Sequence, residues 1–519
     1  MASDSYTTSN YWETLQINRQ DVEYLHTYLF EHETPLTARE LVTVLVNERV
    51  RIERAAEQER RQAGGRQYLP KDSYQVGDSV VFPALNWMHG KVTAARAGQN
   101  PDIGTFDVLT VELEDGIERM FAANLAHHSL NDEPVTIEDA GFEPEALIAQ
   151  YGNGIERRIE SSFESDEELV RIAGRWFPRA LLVDVNVGHL NLAEAVLDMS
   201  GGEPLPTSAL VKEVGLPDGI NLKLAEFSLN FALQEDNRFD EVGPAGEVLW
   251  CLRRLEPADV REVPMFLQYN DISYSRSALS DQMLALEAEV DDELTPVDTS
   301  GDESVNEARV SLIFPHLRSG TLPLSGRVSK LFPTAYESPR VRFTLVDGRS
   351  KQKLPGWVVR EHGYVYGLSE WYKANDLITG SIVNIRRGEK PGEVIIESQP
   401  YKMKDWVRTA IIGADGGVVF AMLKQSITTA FNERMVFAIP ALEAVDQIWL
   451  QERKQSFDQL IVNMIRELSK LTPQGHVHAQ ELYSAINIIR RVPPAPLLAV
   501  LATKPEITHV GDLHFRLSE

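Results

Sequence analysis

Apolar residues recur at helical spacing over the first sixty positions. In DVEYLHTYLFEHE, Leu25, Tyr28 and Leu29 fall on one face, and Leu41, Val44, Leu45 and Ile52 continue such a face in the next segment. Thr37 with Glu40 three residues on predicts a capping box, and Gly64-Gly65 a stop. From residue 72 to 135 the period changes to two, with Gly and Asp turns, which predicts four or five short strands. The period is helical again from Ile155 to Phe177. NLAEAVLDMSGG, PTSALVKEVG and NLKLAEFSLNFALQEDN then predict three short helices, followed by a hairpin in RFDEVGPAGEVLWCLRRL. Strands dominate 307–400, apart from a helix predicted over Gly367 to Asn375. A hairpin around Ala414-Asp415-Gly416-Gly417 comes next, then FDQLIVNMIRELSKL, HAQELYSAINIIRR, PAPLLAVLATK and a closing hairpin, EITHVGDLHFRL.

These patterns predict a multi-domain α+β protein with winged-helix domains, a small SH3-like β-barrel and a β-pseudobarrel. Three helices followed by a hairpin is the winged-helix order. The expected divisions are a helical, partly winged-helix-like segment at 1–66, the small barrel at 67–136 and a winged helix at 150–256. An acidic linker at 257–306, a pseudobarrel at 307–400, a hairpin connector at 401–450 and a second winged helix at 451–519 follow.

Three resemblances sharpen this. VGDSVVFP with HGKVTAA resembles strand pairs of Tudor and CarD-like modules. Leu322-Pro323, Asp347-Gly348, Trp357, Gly367 through Trp371, Asn375, Leu377 and Gly380 resemble the DNA-binding pseudobarrel of plant transcription factors and certain restriction endonucleases (the B-three type). Ser381 stands where that family usually has Asp. Pro35 through Glu40-Leu41, with the wing residues Arg238-Phe239 and Val242-Gly243, resembles the HARE helix-turn-helix family of the RNA polymerase delta subunit and of restriction and chromatin proteins. The pseudobarrel resemblance implies DNA contact through loops at one barrel edge.

Charge redirects the search. The 519 residues carry a net charge of -26, which repels phosphate unless a local exception exists. Residues 256–306 hold two basic and thirteen acidic residues, and the recognition-helix candidate offers Lys223 against Glu226, Glu235 and Asp236. Residues 307–400 reverse the sign, with fourteen Lys and Arg against nine Asp and Glu. The candidate DNA-binding residues are therefore Arg318, Arg327, Lys330, Arg349, Lys351, Lys353, Arg386, Arg387 and Lys390. Trp357 and Trp371 read as core, and Arg490 and Arg491 leave the role of the C-terminal unit open.

Enzyme chemistry finds little footing. There is no phosphate loop, nucleophile elbow or His-Glu-x-x-His motif. His127-His128, His476 and His478 read as surface or capping residues, and Asp102 with Glu112 as a turn and strand of the small barrel. The lone Cys251 excludes intrachain disulfides and reads as a buried thiol. No cofactor or metal is expected. No secretory signal or apolar run of membrane length is visible, so a soluble, cytoplasmic protein is expected. The reading is a non-enzymatic, transcription-associated protein that binds double-stranded DNA through 307–400. Its acidic winged helices would dock a protein such as RNA polymerase. A scaffold without DNA binding, or the recognition subunit of a restriction or phage-defence system, are the alternatives.

Overall fold

In the computed structural model, which describes residues 9–62, 66–85, 87–100, 103–131, 143–217, 219–296, 305–414, 416–451 and 455–518, one order of elements occurs three times. It runs helix, short strand, helix, helix, strand, strand. The chain divides into two compact units, Met1–Arg171 with Arg175–Leu182, and Ile172–Gly174 with Val183–Glu519.

The first repeat uses helices Arg19–His32, Ala38–Gln62 and Pro144–Phe163 with strands Leu36–Thr37, Leu169–Ile172 and Arg175–Pro178. Thr37 and Glu40 form the expected capping box, the Glu40 carboxylate accepting the Thr37 amide at 2.7 Å. Leu25, Leu29, Leu41, Leu45, Ile155 and Phe163 share its core. Two expectations are corrected here. The helical pattern to Phe177 ends at Phe163, because Ala173 and Gly174 both take positive φ and make a hairpin turn. That third helix also packs with the N-terminal helices, in the first compact unit, whereas 183–256 belongs to the second. Between the second and third helices lies a five-stranded antiparallel-rich sheet, Arg66–Gln67, Ser79–Phe82, Met88–Ala97, Asp107–Leu113 and Glu118–Ala123 in that order. It closes over Tyr68, Phe82, Val92, Leu109 and Val111. Gly64-Gly65 and Asp102 lie outside the described residues.

In the second unit the repeat recurs as Val187–Met199, Leu205–Pro206, Thr207–Val214, Leu222–Glu235, Phe239–Glu241 and Leu249–Leu252. It recurs again as Phe457–Ser469, Val477–His478, Ala479–Asn487, Pro494–Thr503, Ile507–Gly511 and His514–Leu517. In all three copies the last strand lies between the other two.

Between these copies stands a seven-stranded sheet: β1 (Glu307–Ser311), β2 (Thr321–Pro323), β3 (Arg340–Asp347), β4 (Lys353–Val359), β5 (Tyr364–Tyr366), β6 (Ile382–Arg387) and β7 (Glu393–Ser398). Their order, β1-β6-β7-β3-β4-β5-β2, makes a barrel-like sheet in which only the β3–β7 pair is parallel. Short helices Phe314–Ser319 and Ser369–Ala374 plug it, and Leu322, Trp371, Tyr372 and Val383 fill it. Gly380 takes φ +88°, and a Cβ there would meet the Val436 backbone at 2.6 Å, so glycine is required at this crossing.

The expected acidic linker is largely built structure; only its residues 297–304 fall outside the described set. Helix Asp281–Val290 buries Met283 and Leu286 against the C-terminal core. Beyond it, Arg491 donates to Asp292 at 2.6 Å and to Glu293 at 2.7 Å. His316 of the barrel meets Glu293 at 3.1 Å, and the Tyr483 hydroxyl donates to Asp292 at 2.5 Å. Burial raises the Glu293 carboxyl, but Arg491 and His316 outweigh it and hold Glu293 below the ordinary carboxylate range. Its stabilising contribution is therefore present above about pH 4.5 and fades on acidification. Composition misled because the buried carboxylates meet cations: besides Asp292 and Glu293, Glu287 has Arg276 and Asp291 has Arg327. Arg491→Met strands two buried carboxylates and is expected to lower the unfolding free energy by about 3–5 kcal/mol, read from the urea midpoint. A loss below about 1 kcal/mol would show that Asp292 and Glu293 do not depend on it.

Candidate nucleic-acid interface

Arginine and lysine are available to a polyanion only if the chain has not already used them. Four of the nine expected cations are used. Arg318 pairs with Asp446 at 2.7 Å and lies over the Phe266 ring. Arg327 pairs with Asp291 at 3.2 Å and donates to the carbonyls of Ala288 and Glu289. Lys353 pairs with Glu393 at 2.7 Å, and Arg387 donates to the Lys330 carbonyl at 2.6 Å. Arg349, Lys351, Arg386 and Lys390 are exposed and form no ion pair within the described residues. Arg490 donates to the Gln455 carbonyl and Arg491 is buried, so the C-terminal pair is spent inside the fold.

The register separates what remains. β3 and β7 run parallel with Thr344 opposite Glu393 and Asp347 opposite Ile396. The turn carrying Lys390 thus sits at the start of β7, and the hairpin tip carrying Arg349 and Lys351 at its other end. Arg386 faces outward from β6 with Glu307 directly opposite. Arg309, an exposed cation that sequence reasoning missed, shares that outer face; the strand alternation of β1 was the available signal.

The hairpin tip is the best-defined of these positions. The Asp347 carboxylate accepts the Arg349 amide at 2.7 Å, the Ser350 amide at 3.2 Å and the Trp371 indole at 3.1 Å. Burial works to raise its pKa, but these donors prevail and hold it low. Lys351 follows at φ +61°, a conformation that glycine or asparagine adopts more readily than lysine. Trp357 and Trp371 are buried, as expected.

The second repeat's hairpin meets the chain's own barrel through Asp240 and Glu241, while Glu247 stays exposed. Arg340 of β3 bonds Asp240 and lies 3.5 Å from Glu256, while the Ser338 hydroxyl donates to the Glu241 carbonyl. Backbone bonds join Arg342 to Val242 and Ala245 to Thr334. Val242 packs with Trp357 and Tyr364, and burial pushes the Cys251 thiol beside it up to about 11.

Between this hairpin and the barrel loops 329–334 and 387–394 lies a cleft of about 930 Å³. It gathers Lys330, Arg387 and Lys390 with Arg342, whose guanidinium burial pulls down in pKa. Glu203, Glu247, Glu389 and Glu393 line it too, so its charges balance and it offers a polyanion no net attraction.

The histidines play local roles. His478 caps its helix through the Gln480 amide, and burial with Arg434 and His514 nearby pulls its pKa to about 4. Among the described residues no cluster of three or more His, Cys, Asp or Glu could hold a metal, and no helix is long and apolar enough to cross a membrane. Compared with protein families, curated proteins and solved structures, the chain matches none.

The hairpin–barrel contact titrates. Burial pushes Glu241 up to about 7, and burial with the Asp240 charge raises Glu256, whose Oε1 has no partner. A carboxyl raised on folding stabilises fully below its unfolded value and loses that contribution as pH rises through its folded one. Stability of the second unit is therefore expected to fall between about pH 4.5 and 8. Glu241→Gln with Glu256→Gln should flatten that slope in urea titrations; an unchanged slope would place its origin elsewhere.

Proposed function

We propose that the chain is a non-enzymatic, transcription-associated protein that binds double-stranded DNA through the tip of the β3–β4 hairpin. The observation that carries this reading is the pair Arg349 and Lys351: two exposed cations without an acid partner among the described residues, on a hairpin fixed by Asp347, in a chain of net charge -26. Arg386 and Arg309 on the outer sheet face are matched there by Glu307 and Glu397, so the positive exception rests on the hairpin tip. Support from architecture is independent. The thrice-repeated order with its central last strand fits winged-helix domains, and the seven strands with two plugging helices fit the pseudobarrel resemblance.

The winged-helix reading also retains a docking role, although the wing itself is occupied. Leu192, Ala195 and Met199 lie on one face of helix Val187–Met199, with Met199 89% exposed. An apolar stripe of that kind suits a protein partner, RNA polymerase among the candidates, better than phosphate.

Duplex binding by the full chain should weaken with salt, because each neutralised phosphate contributes roughly -0.9 to the log–log slope. Arg349→Glu with Lys351→Glu is expected to reduce affinity at least about tenfold and to flatten that slope by about two phosphates' worth. Arg387→Glu is not a clean test, since Arg387 holds the Lys330 carbonyl. Unchanged affinity and slope in the double variant would remove the hairpin tip from any DNA contact.

A further inference from the structure

The segment expected as a simple connector is a long two-stranded ribbon, β8 (Pro400–Ile412) and β9 (Val418–Thr429), anchored at both ends. At its base Ala430 donates to the Gln399 carbonyl and Ile382 of the barrel to the Ala430 carbonyl, each at 2.9 Å. At its tip Ala410, Val418 and Phe420 are buried in the C-terminal core. In the middle, Val407 and Ile427 turn inward against Val436 and Ala438.

The alternate positions of that middle stretch face outward. Trp406 stands directly opposite Lys424, Lys404 opposite Ser426, and Arg408 opposite Met422. Trp406 is 61% exposed, the most exposed tryptophan among the described residues, and Met422 beside it is 38% exposed. Lys402, Lys404 and Lys424 are exposed and make no ion pair within the described residues. Arg408, at the end of this face, is largely buried and paired with Glu481. Around Trp406 itself the strand positions of this face carry no carboxylate among the described residues, because Asp405 projects to the opposite side, where it accepts the Trp406 amide.

An exposed indole on a strand braced at both ends is costly unless something covers it, and the flanking charges specify what. In a chain of net charge -26, unpaired lysines around an aromatic face select an anion that also presents flat rings. Duplex DNA hides its base faces in the stack, whereas a single strand exposes them. We propose that the Trp406 face of this ribbon is a stacking platform for single-stranded nucleic acid, with Lys404 and Lys424 holding the adjacent phosphates. This site is separate from the β3–β4 hairpin tip and does not depend on it.

Fluorescence anisotropy of the full chain with a labelled oligothymidine of about twenty nucleotides tests it. Binding is expected, weakened by roughly fivefold to a hundredfold in Trp406→Ala, restored in large part by Trp406→Phe, and made less salt-dependent by Lys404→Glu with Lys424→Glu. The Arg349→Glu, Lys351→Glu variant should bind the oligonucleotide like the parent, which distinguishes this site from the duplex site. No binding at low salt, or binding indifferent to Trp406→Ala, overturns the proposal. So does a homodimer in sedimentation that Trp406→Ala dissolves, because a second copy would then be what covers the face.

Discussion

A buried arginine holds the second unit together. Arg491 lies in the C-terminal repeat, yet its guanidinium is committed to Asp292 and Glu293, two hundred residues earlier in the chain, and Glu293 in turn holds His316 of the barrel. Full burial removes all these groups from water, so each charge is tolerable only while the others are in place. Asp292 and Glu293 are thereby fixed between barrel and repeat, and helix Asp281–Val290 leading into them is laid down on the C-terminal core. The network does not require a large net gain in free energy to matter. What it supplies is specificity, since any other docking of barrel and repeat leaves a charge buried alone.

Why this was invisible in the sequence is instructive. Residues 256–306 have the composition of a solvated linker, and charge count cannot reveal that Arg327 and Arg491 come from two other segments to meet it, beside its own Arg276. The repeats were legible where their elements are contiguous, in the hairpins after Arg238 and Glu506. The first copy was legible only as an isolated pair of helices, because a five-stranded sheet separates its second and third helices. Its closing hairpin was masked by apolar residues at LVRIAGRWFP, where a two-residue Ala-Gly turn, not the run of hydrophobics, decides strand over helix. The barrel was read most faithfully. Its punctuation lies in single residues, Asp347, Gly367 and Gly380, whose identity shows in the sequence even though Gly367 and Gly380 answer to the backbone of Pro355 and Val436.

The acidic hairpin of the second repeat shows the same principle at the level of charge. Its carboxylates suggest a repulsive surface, but Asp240 and Glu256 have their counterpart in Arg340 of the same unit. Two carboxyls share one guanidinium there, so at least one is better protonated than charged. The candidate site suffered in the converse way. A local excess of cations over 307–400 was real, yet much of it is the other half of these internal pairs, and counting could not separate spent cations from free ones.

That separation is what gives the remaining cations their meaning. In a chain with 77 Asp and Glu against 51 Lys and Arg, a partner acid is often within reach of a long basic side chain. Arg349 and Lys351 at the hairpin tip, and Lys404 and Lys424 around Trp406, escape that pairing while sitting on strands fixed by other contacts. The two places differ in what accompanies the charge. At the hairpin tip it is charge alone, which suits a phosphate backbone; on the ribbon it is charge beside an exposed indole, which suits a base released from its stack. A protein built this way could hold duplex and separated strand at different surfaces, and the distinction rests on a single tryptophan.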